Sequence, residues 1–438
     1  MYQTVYGGKY AAPAPINLKP EVLIIGGGVV GITIARELAR EGMQVVIAEN
    51  GESLGGGIRH LHFFYDRHTD VQQWLDDMIA DVESTGNIIV HKGAQLKRLD
   101  GHLGCFQALI RTRDGGETVL SPSVLVLATG CITRPAAAMN GGDRVIGLSE
   151  MEKLLAGSRD VSLAWKGQPV KTVTYLLDRT NDDIKIDTVN AVKQSLILQE
   201  KGCRVAVVAG DLKVSASGME RLYRRAREKG VLFFKYDEPP VLSPADDRVS
   251  VELQDMTILR KEERDTVSLL SDLVVTGETF TADPMAEELC RVIKLRPGTS
   301  GMLMDDNPQF QRVLSNRRGI FLAGACRFPQ IVTESLSEAH AVVQEVKALL
   351  HPGGGAYTPT NPVAEVDPRK CAVCYTCVRL CPHAAIGMEK HGERNVYAAP
   401  AVENDGTLWG AARIEPVACF GCGICAAECP ARAITLYQ

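Results

Sequence analysis

The chain of 438 residues is 45% hydrophobic and 23% charged, with a formal net charge of −5, a balance that fits an ordinary globular protein of roughly two to four domains. Its mild acidity excludes the electrostatic footprint of a nucleic-acid or acidic-membrane binder. No basic stretch followed by an apolar one opens the sequence, and the most apolar run, Val22 to Ala35, is broken by four glycines, short of the ~20 residues that cross a bilayer; the reading is a cytoplasmic protein with no direct membrane span.

Residues 1–20 read as an N-terminal arm. From residue 21, EVLIIGGGVVGITIARELAREGMQVVIAEN reads as strand, tight turn, helix and strand. Gly26-x-Gly28-x-x-Gly31 directly follows the apolar strand. The first glycine permits the turn, the second lets backbone approach a pyrophosphate, and the third lets helix pack on strand. Glu49, 18 residues beyond Gly31 at the end of the next strand, suits a ribose hydroxyl pair. The context makes this a dinucleotide site.

Three further stretches favour FAD over NAD. ENGESLGGG, Glu49 to Gly57, and VLVLATG, Val124 to Gly130, resemble two signatures of flavoproteins with two dinucleotide-binding domains. RGIFLAGACRFPQIVTESLSEAHAVVQEV, Arg318 to Val346, is similar to their third: strand, turn, then a helix whose N-terminus faces the flavin pyrimidine and can stabilise a reduced, anionic flavin. The resemblance implies FAD contacts at Asn50, Gly55, Gly56, Thr129, Gly130, Gly324, Ala325, Ile331 and Thr333. Disulfide reductases of this kind carry Asp after the Ala-Gly pair to hold the ribityl chain, and this chain has Ala325-Cys326. The FAD-binding domain is thus expected in two parts, 21–170 and 273–352.

Between them, 171–272 resembles the nicotinamide domain of a thioredoxin-reductase-like fold. Its first turn, in VTYLLDRTNDD, offers aspartates where phosphate-binding glycines belong, and these repel a pyrophosphate. The segment is read as a degenerate NAD(P)-like domain, structural or partner-binding, so electrons are expected to enter elsewhere. GGGAYTPTNP, 353–362, reads as a linker.

Eight of the thirteen cysteines lie between Cys371 and Cys429, in a reducing compartment a sign of metal ligation rather than disulfides. CAVCYTCVRLCPHAAI and CFGCGICAAECPARAI form an internal repeat with C-x2-C-x2-C-x3-C-P spacing. Three thiolates of each half hold irons of one [4Fe-4S] cube and the fourth reaches the other cube, while the following proline turns the chain toward the opposite half. One cluster then takes Cys371, Cys374, Cys377 and Cys429, the other Cys419, Cys422, Cys425 and Cys381. Zinc is the alternative, but zinc sites take two cysteine pairs rather than three plus one. Residues 363–438 resemble a two-cluster ferredoxin domain, with the spacer between the halves read as a surface hairpin. The remaining cysteines, Cys105, Cys131, Cys203, Cys290 and Cys326, read as buried small residues, His60 and His62 as packing or flavin-edge groups rather than metal ligands, and Arg224, Arg225 and Arg227 as a solvated helix face.

The fold class is therefore α/β, a two-dinucleotide-binding-domain, thioredoxin-reductase-like flavoprotein fold with a C-terminal α+β two-[4Fe-4S] ferredoxin domain. Flavin and ferredoxin parts together resemble the HdrA family, the A-type subunits of heterodisulfide reductase, from about Val22 onward. Long members bind further clusters through cysteines where this chain reads HLHFFYDRHTD and LLDRTNDDIKIDTVNA, so it looks like a short form, of the kind found in quinone-linked sulfate-reduction or class II benzoyl-CoA reductase complexes. The resemblance implies an oxidoreductase subunit in which FAD converts two-electron into one-electron transfer, with flavin-based bifurcation as one form of this, and two [4Fe-4S] clusters relay electrons. Its implied partners are other subunits of a heterodisulfide-reductase-like complex, with ferredoxin or a hydrogenase- or dehydrogenase-linked donor. A stand-alone NAD(P)H:acceptor oxidoreductase similar to the small glutamate synthase subunit, and a non-catalytic scaffold, are the alternatives.

Overall fold

The computed structural model describes residues 14–66, 70–135, 142–158, 162–177, 184–256, 266–298, 300–351, 353–390 and 410–437. Two five-stranded parallel sheets organise the flavoprotein part. The first runs in the order Ile320–Leu322, Val124–Leu127, Glu21–Ile25, Gln44–Glu49 and Ile88–Lys92. Val124–Leu127 is buried at every position, as expected of a parallel strand covered on both faces. Helices Val29–Arg40, Val71–Ser84 and Val332–Leu349 pack over one face through Ile34, Leu38, Val71, Leu75, Val342 and Val346. The strands Ala94–Asp100, Gln107–Thr112 and Glu117–Leu120 form a meander that, with helix Ala286–Ile293, closes the other face through Phe106, Ile110 and Ile293.

The second sheet orders Val145–Gly147, Leu273–Thr276, Thr172–Leu177, Arg204–Ala209 and Leu232–Lys235. It draws strands from both flanks of the 171–272 segment, because Thr172–Leu177 needs a parallel neighbour on each side and takes Leu273–Thr276 as one of them. The turn after Leu177, which carries the aspartates, lies outside the described residues. A two-stranded ribbon, Ile132–Pro135 with Glu278–Thr281, joins the two sheet units.

The C-terminal part is a small α+β body. Ala364–Val366 pairs with Ile434–Leu436, and Ile386–Lys390 with Gly410–Ile414, so the two cysteine repeats lie beside one another and the ends of the spacer form an antiparallel strand pair; residues 391–409 lie outside the described residues. The core of this body is small: Val363, Ile386, Ile414, Ile434 and Leu436 surround cysteines rather than further aliphatic side chains.

The stretch 353–362 is tied down. Gly355–Tyr357 pairs with Ile16–Leu18 of the N-terminal arm, where Gly354, at φ +74°, passes so close that an added Cβ would stand 3.1 Å from the Leu18 carbonyl oxygen. Arg318 donates to Tyr357 Oη at 2.6 Å and to Asn361 Oδ1 at 2.7 Å, and Asn361 Nδ2 donates to the Cys419 carbonyl at 2.9 Å. A glycine- and proline-rich composition suggests a free tether; backbone pairing on one side and an arginine on the other remove that freedom. Limited digestion with proteinase K is therefore expected not to release a ferredoxin-sized C-terminal fragment as its first product, and early accumulation of that fragment would contradict the pinned arrangement.

Candidate cofactor sites

The glycine turn is built by close approach. Gly26, at φ +109°, lies against the Ala128 carbonyl, which an added Cβ would meet at 2.3 Å, and a Cβ on Gly31 would stand 2.0 Å from the Gly26 carbonyl oxygen. Neither position admits a side chain. Gly28 is different: nothing lies within 4 Å of the place its Cβ would occupy. It precedes helix Val29–Arg40, whose first turn has no side-chain cap and no acidic residue, so the orphan N–H groups and the positive end of the helix face open space. That is the cradle a pyrophosphate fits.

Glu49 ends the neighbouring strand with its carboxylate clasped by backbone: Oε2 accepts from Gly27 N–H at 2.6 Å and Oε1 from Gly51 N–H. Glu49, Asn50, Gly26 and Thr129 share one cavity with Gln95, Met285 and Leu289, and Gln95 Nε2 donates to Asn50 Oδ1 at 2.8 Å. Gly55 N–H donates to the Gly27 carbonyl at 2.7 Å, and a Cβ on Gly56 would meet Gly28 Cα at 3.1 Å, which brings the second glycine stretch onto the first. Gly130, at φ +72°, opens to free space beyond Thr129.

Gly324 and Ala325 follow strand Ile320–Leu322 at the same end of the sheet, and Gly324 abuts Val30 of the glycine-turn helix. Ile331 caps the N-terminus of helix Val332–Leu349 with no side-chain hydrogen bond, and Thr333 Oγ1 lies 3.4 Å from Tyr65 Oη. The carboxyl edge of this sheet therefore gathers Gly26, Gly28, Glu49, Asn50, Gly55, Gly56, Thr129 and Gly324. It also holds a group the sequence did not announce. Three residues beyond Gly324, the buried Arg327 pairs with both Asp305 and Glu338, and Glu338 Oε2 accepts from Gly324 N–H at 3.0 Å. Burial pushes the Asp305 carboxyl up despite Arg327. These carboxylates stand about 20 residues upstream and 14 downstream of the turn they support, so spacing gives no signal for them.

The second sheet unit grips the first through a buried pair. Glu152 Oε1 accepts from His62 N–H, Phe63 N–H and Lys193 Nζ, each at 3.0 Å, and Lys193 Nζ also donates to the Phe63 carbonyl at 3.1 Å. Burial alone would raise the Glu152 carboxyl, but Lys193, Gln194 and the His62 N–H outweigh it and lower it; burial lowers the Lys193 ammonium. The H-x-H stretch is thus engaged through its backbone.

In the C-terminal body the eight repeat cysteines divide between two cavities. Cys371, Cys374, Cys377 and Cys429 line one with Met388 and Ile434; Cys381, Cys419, Cys422 and Cys425 line the other with Ile386 and Phe420. Each cavity thus takes three thiols from one half and one from the other. Among the described residues no three His, Cys, Asp or Glu side chains converge on a single-ion site; thiols spread around a void suit a cube that takes one thiolate per iron. Backbone N–H groups of Ala412, Ala433, Ala385 and Gly421 donate to the sulfurs of Cys371, Cys429, Cys381 and Cys419 at 3.3–3.5 Å. Burial pushes the Cys377 thiol up to about 11 and the Cys425 thiol up to about 12, with the neighbouring cysteines of each set adding to the rise. Cluster assembly must therefore displace protons.

Of the five single cysteines, Cys203, Cys290 and Cys326 are buried as expected and Cys131 is half-buried, but Cys105 is exposed. It follows a turn after strand Ala94–Asp100, and its sulfur lies 3.2 Å from His102 Nε2, whose hydrogen bond lowers the thiol. An apolar sequence neighbourhood did not bury it because the turn carries the side chain outward.

Comparison with known proteins agrees with both sites. The family described as FAD dependent oxidoreductase matches residues 21–60, and that described as 4Fe-4S dicluster domain matches residues 360–433. An A-type iron-sulfur subunit of CoB–CoM heterodisulfide reductase from Methanopyrus kandleri is 23% identical across 86% of this chain and 71% of its own length. The A-type subunit of the H(2):CoB-CoM heterodisulfide,ferredoxin reductase from Methanothermobacter marburgensis is 21% identical across 88% and 72%. A protein from Archaeoglobus profundus that is itself described as like the A-type heterodisulfide reductase subunits is 28% identical, but over 48% of this chain and only 29% of its own length. Among solved structures, Lactococcus lactis thioredoxin reductase in its FR conformation superposes on 75% of this chain and 98% of its own with a TM-score of 0.51 and 17% identity, which bears out the fold. The chain is an oxidoreductase whose cofactors are FAD and two [4Fe-4S] clusters. No helix among the described residues is long and apolar enough to cross a membrane.

Two glycine substitutions separate fold from cofactor. Gly28 has φ −71°, which alanine adopts freely, so Gly28→Ala should keep the thermal midpoint while FAD affinity falls on the order of tenfold or more, as a methyl enters the pyrophosphate space. Gly31→Ala should instead destabilise the fold by roughly 1–3 kcal/mol or more. Calorimetry with flavin titration reads both, and equal loss of stability in the two variants would contradict the assignment.

Proposed function

We propose that this chain, a homologue of the A-type subunits of heterodisulfide reductase, distributes electrons within a heterodisulfide-reductase-like complex. The observation that carries this reading is the presence, in one chain, of a flavin crevice and two four-thiol cavities, with no C-x-x-C pair near the flavin glycines. A self-contained disulfide reductase needs such a pair; an electron relay does not. When bound, FAD exchanges two electrons and each cluster one, so the flavin is where a pair divides, and bifurcation is the strong form of the proposal.

The residues supply the supporting conditions. The open N-terminus of helix Val29–Arg40 and the clasped Glu49 bind the pyrophosphate and ribose, and the N-terminus of helix Val332–Leu349 favours negative charge beside it. Arg327, Asp305 and Glu338 hold the Gly324 turn in place. Cys371, Cys374, Cys377 and Cys429 ligate one cluster, and Cys381, Cys419, Cys422 and Cys425 the other. Residues 21–170 and 273–352 serve as the flavin domain, 171–272 as a partner-facing unit, and 363–438 as the relay. Electrons arrive from other subunits, with ferredoxin or a hydrogenase- or dehydrogenase-linked donor as the source, in the cytoplasm.

Crossed ligation gives a direct test. Cys381→Ser should perturb the same EPR signal as Cys422→Ser, and Cys429→Ser the same signal as Cys374→Ser; if Cys381→Ser and Cys374→Ser share a signal, the ligand sets must be redrawn. For the relay itself, the chain should purify anaerobically with partner subunits, and NAD(P)H should leave the flavin of the isolated chain unbleached. Rapid bleaching by NAD(P)H would favour the stand-alone oxidoreductase instead, and a partner-bound chain lacking flavin would favour a scaffold.

A further inference from the structure

One arginine stands apart from the charges that surround it. Arg318 lies just before strand Ile320–Leu322, at the end of the flavin sheet opposite the glycine turn. Its guanidinium is 4.8 Å from the Phe420 ring centroid, and Nη2 reaches the carbonyl of the neighbouring Cys419 at 3.4 Å. His383 stacks on Phe420 at 4.2 Å and 11°, and His383 Nδ1 donates to the Asn316 carbonyl at 2.7 Å. Phe420 follows Cys419 and His383 comes two residues after Cys381, so one stack of arginine, phenylalanine and histidine grips both loops that feed the second cavity.

The acceptors of Arg318 are Tyr357 Oη, Asn361 Oδ1 and the Cys419 carbonyl; all are neutral, and no carboxylate pairs with it among the described residues. Its charge is therefore only partly shielded, and it is half-buried beside Phe420, which lines the second cavity. Of the neighbouring carboxylates, Glu415 is turned to His102 at 3.4 Å, and Asp306 acts with Arg318 and Arg296 on the His383 ring rather than pairing with Arg318. Around the first cavity the basic side chains are placed differently. Arg379 is exposed, and Lys370 is paired with Asp367 at 3.6 Å, so water and a counter-charge screen them.

We infer that Arg318 is a positioning and tuning residue that raises the reduction potential of the cluster ligated by Cys381, Cys419, Cys422 and Cys425 above the value its thiolates alone would set. The inference rests on the ligand sets proposed above. Reduction adds one electron to the cube, and a fixed positive charge at short range in a poorly solvated setting stabilises the more negative state. Removing that charge lowers the potential of this cluster and leaves in place that of the other, whose cavity is lined by neither Cys419 nor Phe420.

The test is a potentiometric titration of the anaerobically purified full chain, with each cluster followed by EPR and identified by the signal that Cys422→Ser or Cys374→Ser alters. Arg318→Met and Arg318→Gln should lower the midpoint of the Cys422-linked signal by the equivalent of about tenfold in its oxidised-to-reduced ratio, about 59 mV for one electron. The Cys374-linked signal should stay in place, and Arg318→Lys should remain near the wild-type value. No shift, equal shifts in both signals, or a shift in the Cys374-linked signal alone would overturn the inference. So would an Arg318→Lys chain that behaves like Arg318→Met, or loss of the cluster in both neutral variants, either of which would make Arg318 a packing clamp. A wild-type chain with far fewer than about eight irons would instead count against the ligand sets themselves.

Discussion

The approach of Gly31 to the Gly26 carbonyl oxygen is the contact from which the flavoprotein part takes its geometry. An added Cβ would stand 2.0 Å from that oxygen, so helix Val29–Arg40 can lie against the end of strand Glu21–Ile25 only because neither partner has a side chain there. The same approach aims the helix N-terminus at the crevice, brings Gly55 and Gly56 onto Gly27 and Gly28, and leaves Gly28 as the open point of the turn. Adjacent strands then deliver Glu49, Thr129 and Gly324 to one edge, the carboxyl edge at which open parallel sheets bind ligands.

The two sheet units are joined by more than a ribbon. Glu152 and Lys193 are nearly inaccessible, with side-chain exposures of 3% and 5%, and they spend their hydrogen bonds on the backbone of His62 and Phe63. A buried ion pair contributes little net stability compared with apolar packing, but breaking it strands a charge, which costs about 3–5 kcal/mol. Its effect here is to fix one alignment of the units. Lys185, on the helix that begins at Ile184, adds a contact to Glu334 at 2.7 Å in the first turn of the helix that faces the crevice. A unit without the glycines of a nucleotide site is thus held to the first through polar contacts at its border.

The iron-sulfur body follows another logic. Its apolar core is too small to define it alone, and the eight thiols take up the interior where aliphatic side chains would otherwise pack. The metal clusters therefore contribute to folding as well as to electron transfer. Docking of this body falls to aromatic and guanidinium groups at its border, Phe420, His383 and Arg318, together with Asn316, which donates to the Pro382 carbonyl.

The sequence by itself determined the elements whose chemistry is local. Strand, turn and helix around Gly26–Gly31 follow locally from apolar patterning and from steric demands only glycine meets, and the repeated cysteine spacing marks three closely spaced thiols and a fourth set apart in each half. Tertiary structure alone decided the rest. Asp305, Arg327 and Glu338 meet across a turn no spacing rule connects, Cys105 is turned outward from an apolar stretch, and a run rich in glycine and proline is pinned by a strand from the N-terminal arm. Arg318 reads as an ordinary basic residue before a strand until the fold sets it over Phe420, about 100 residues away. Such contacts depend on which surfaces the packed core brings together, and a field or an ion pair acts through distance in space, which separation along the chain does not encode.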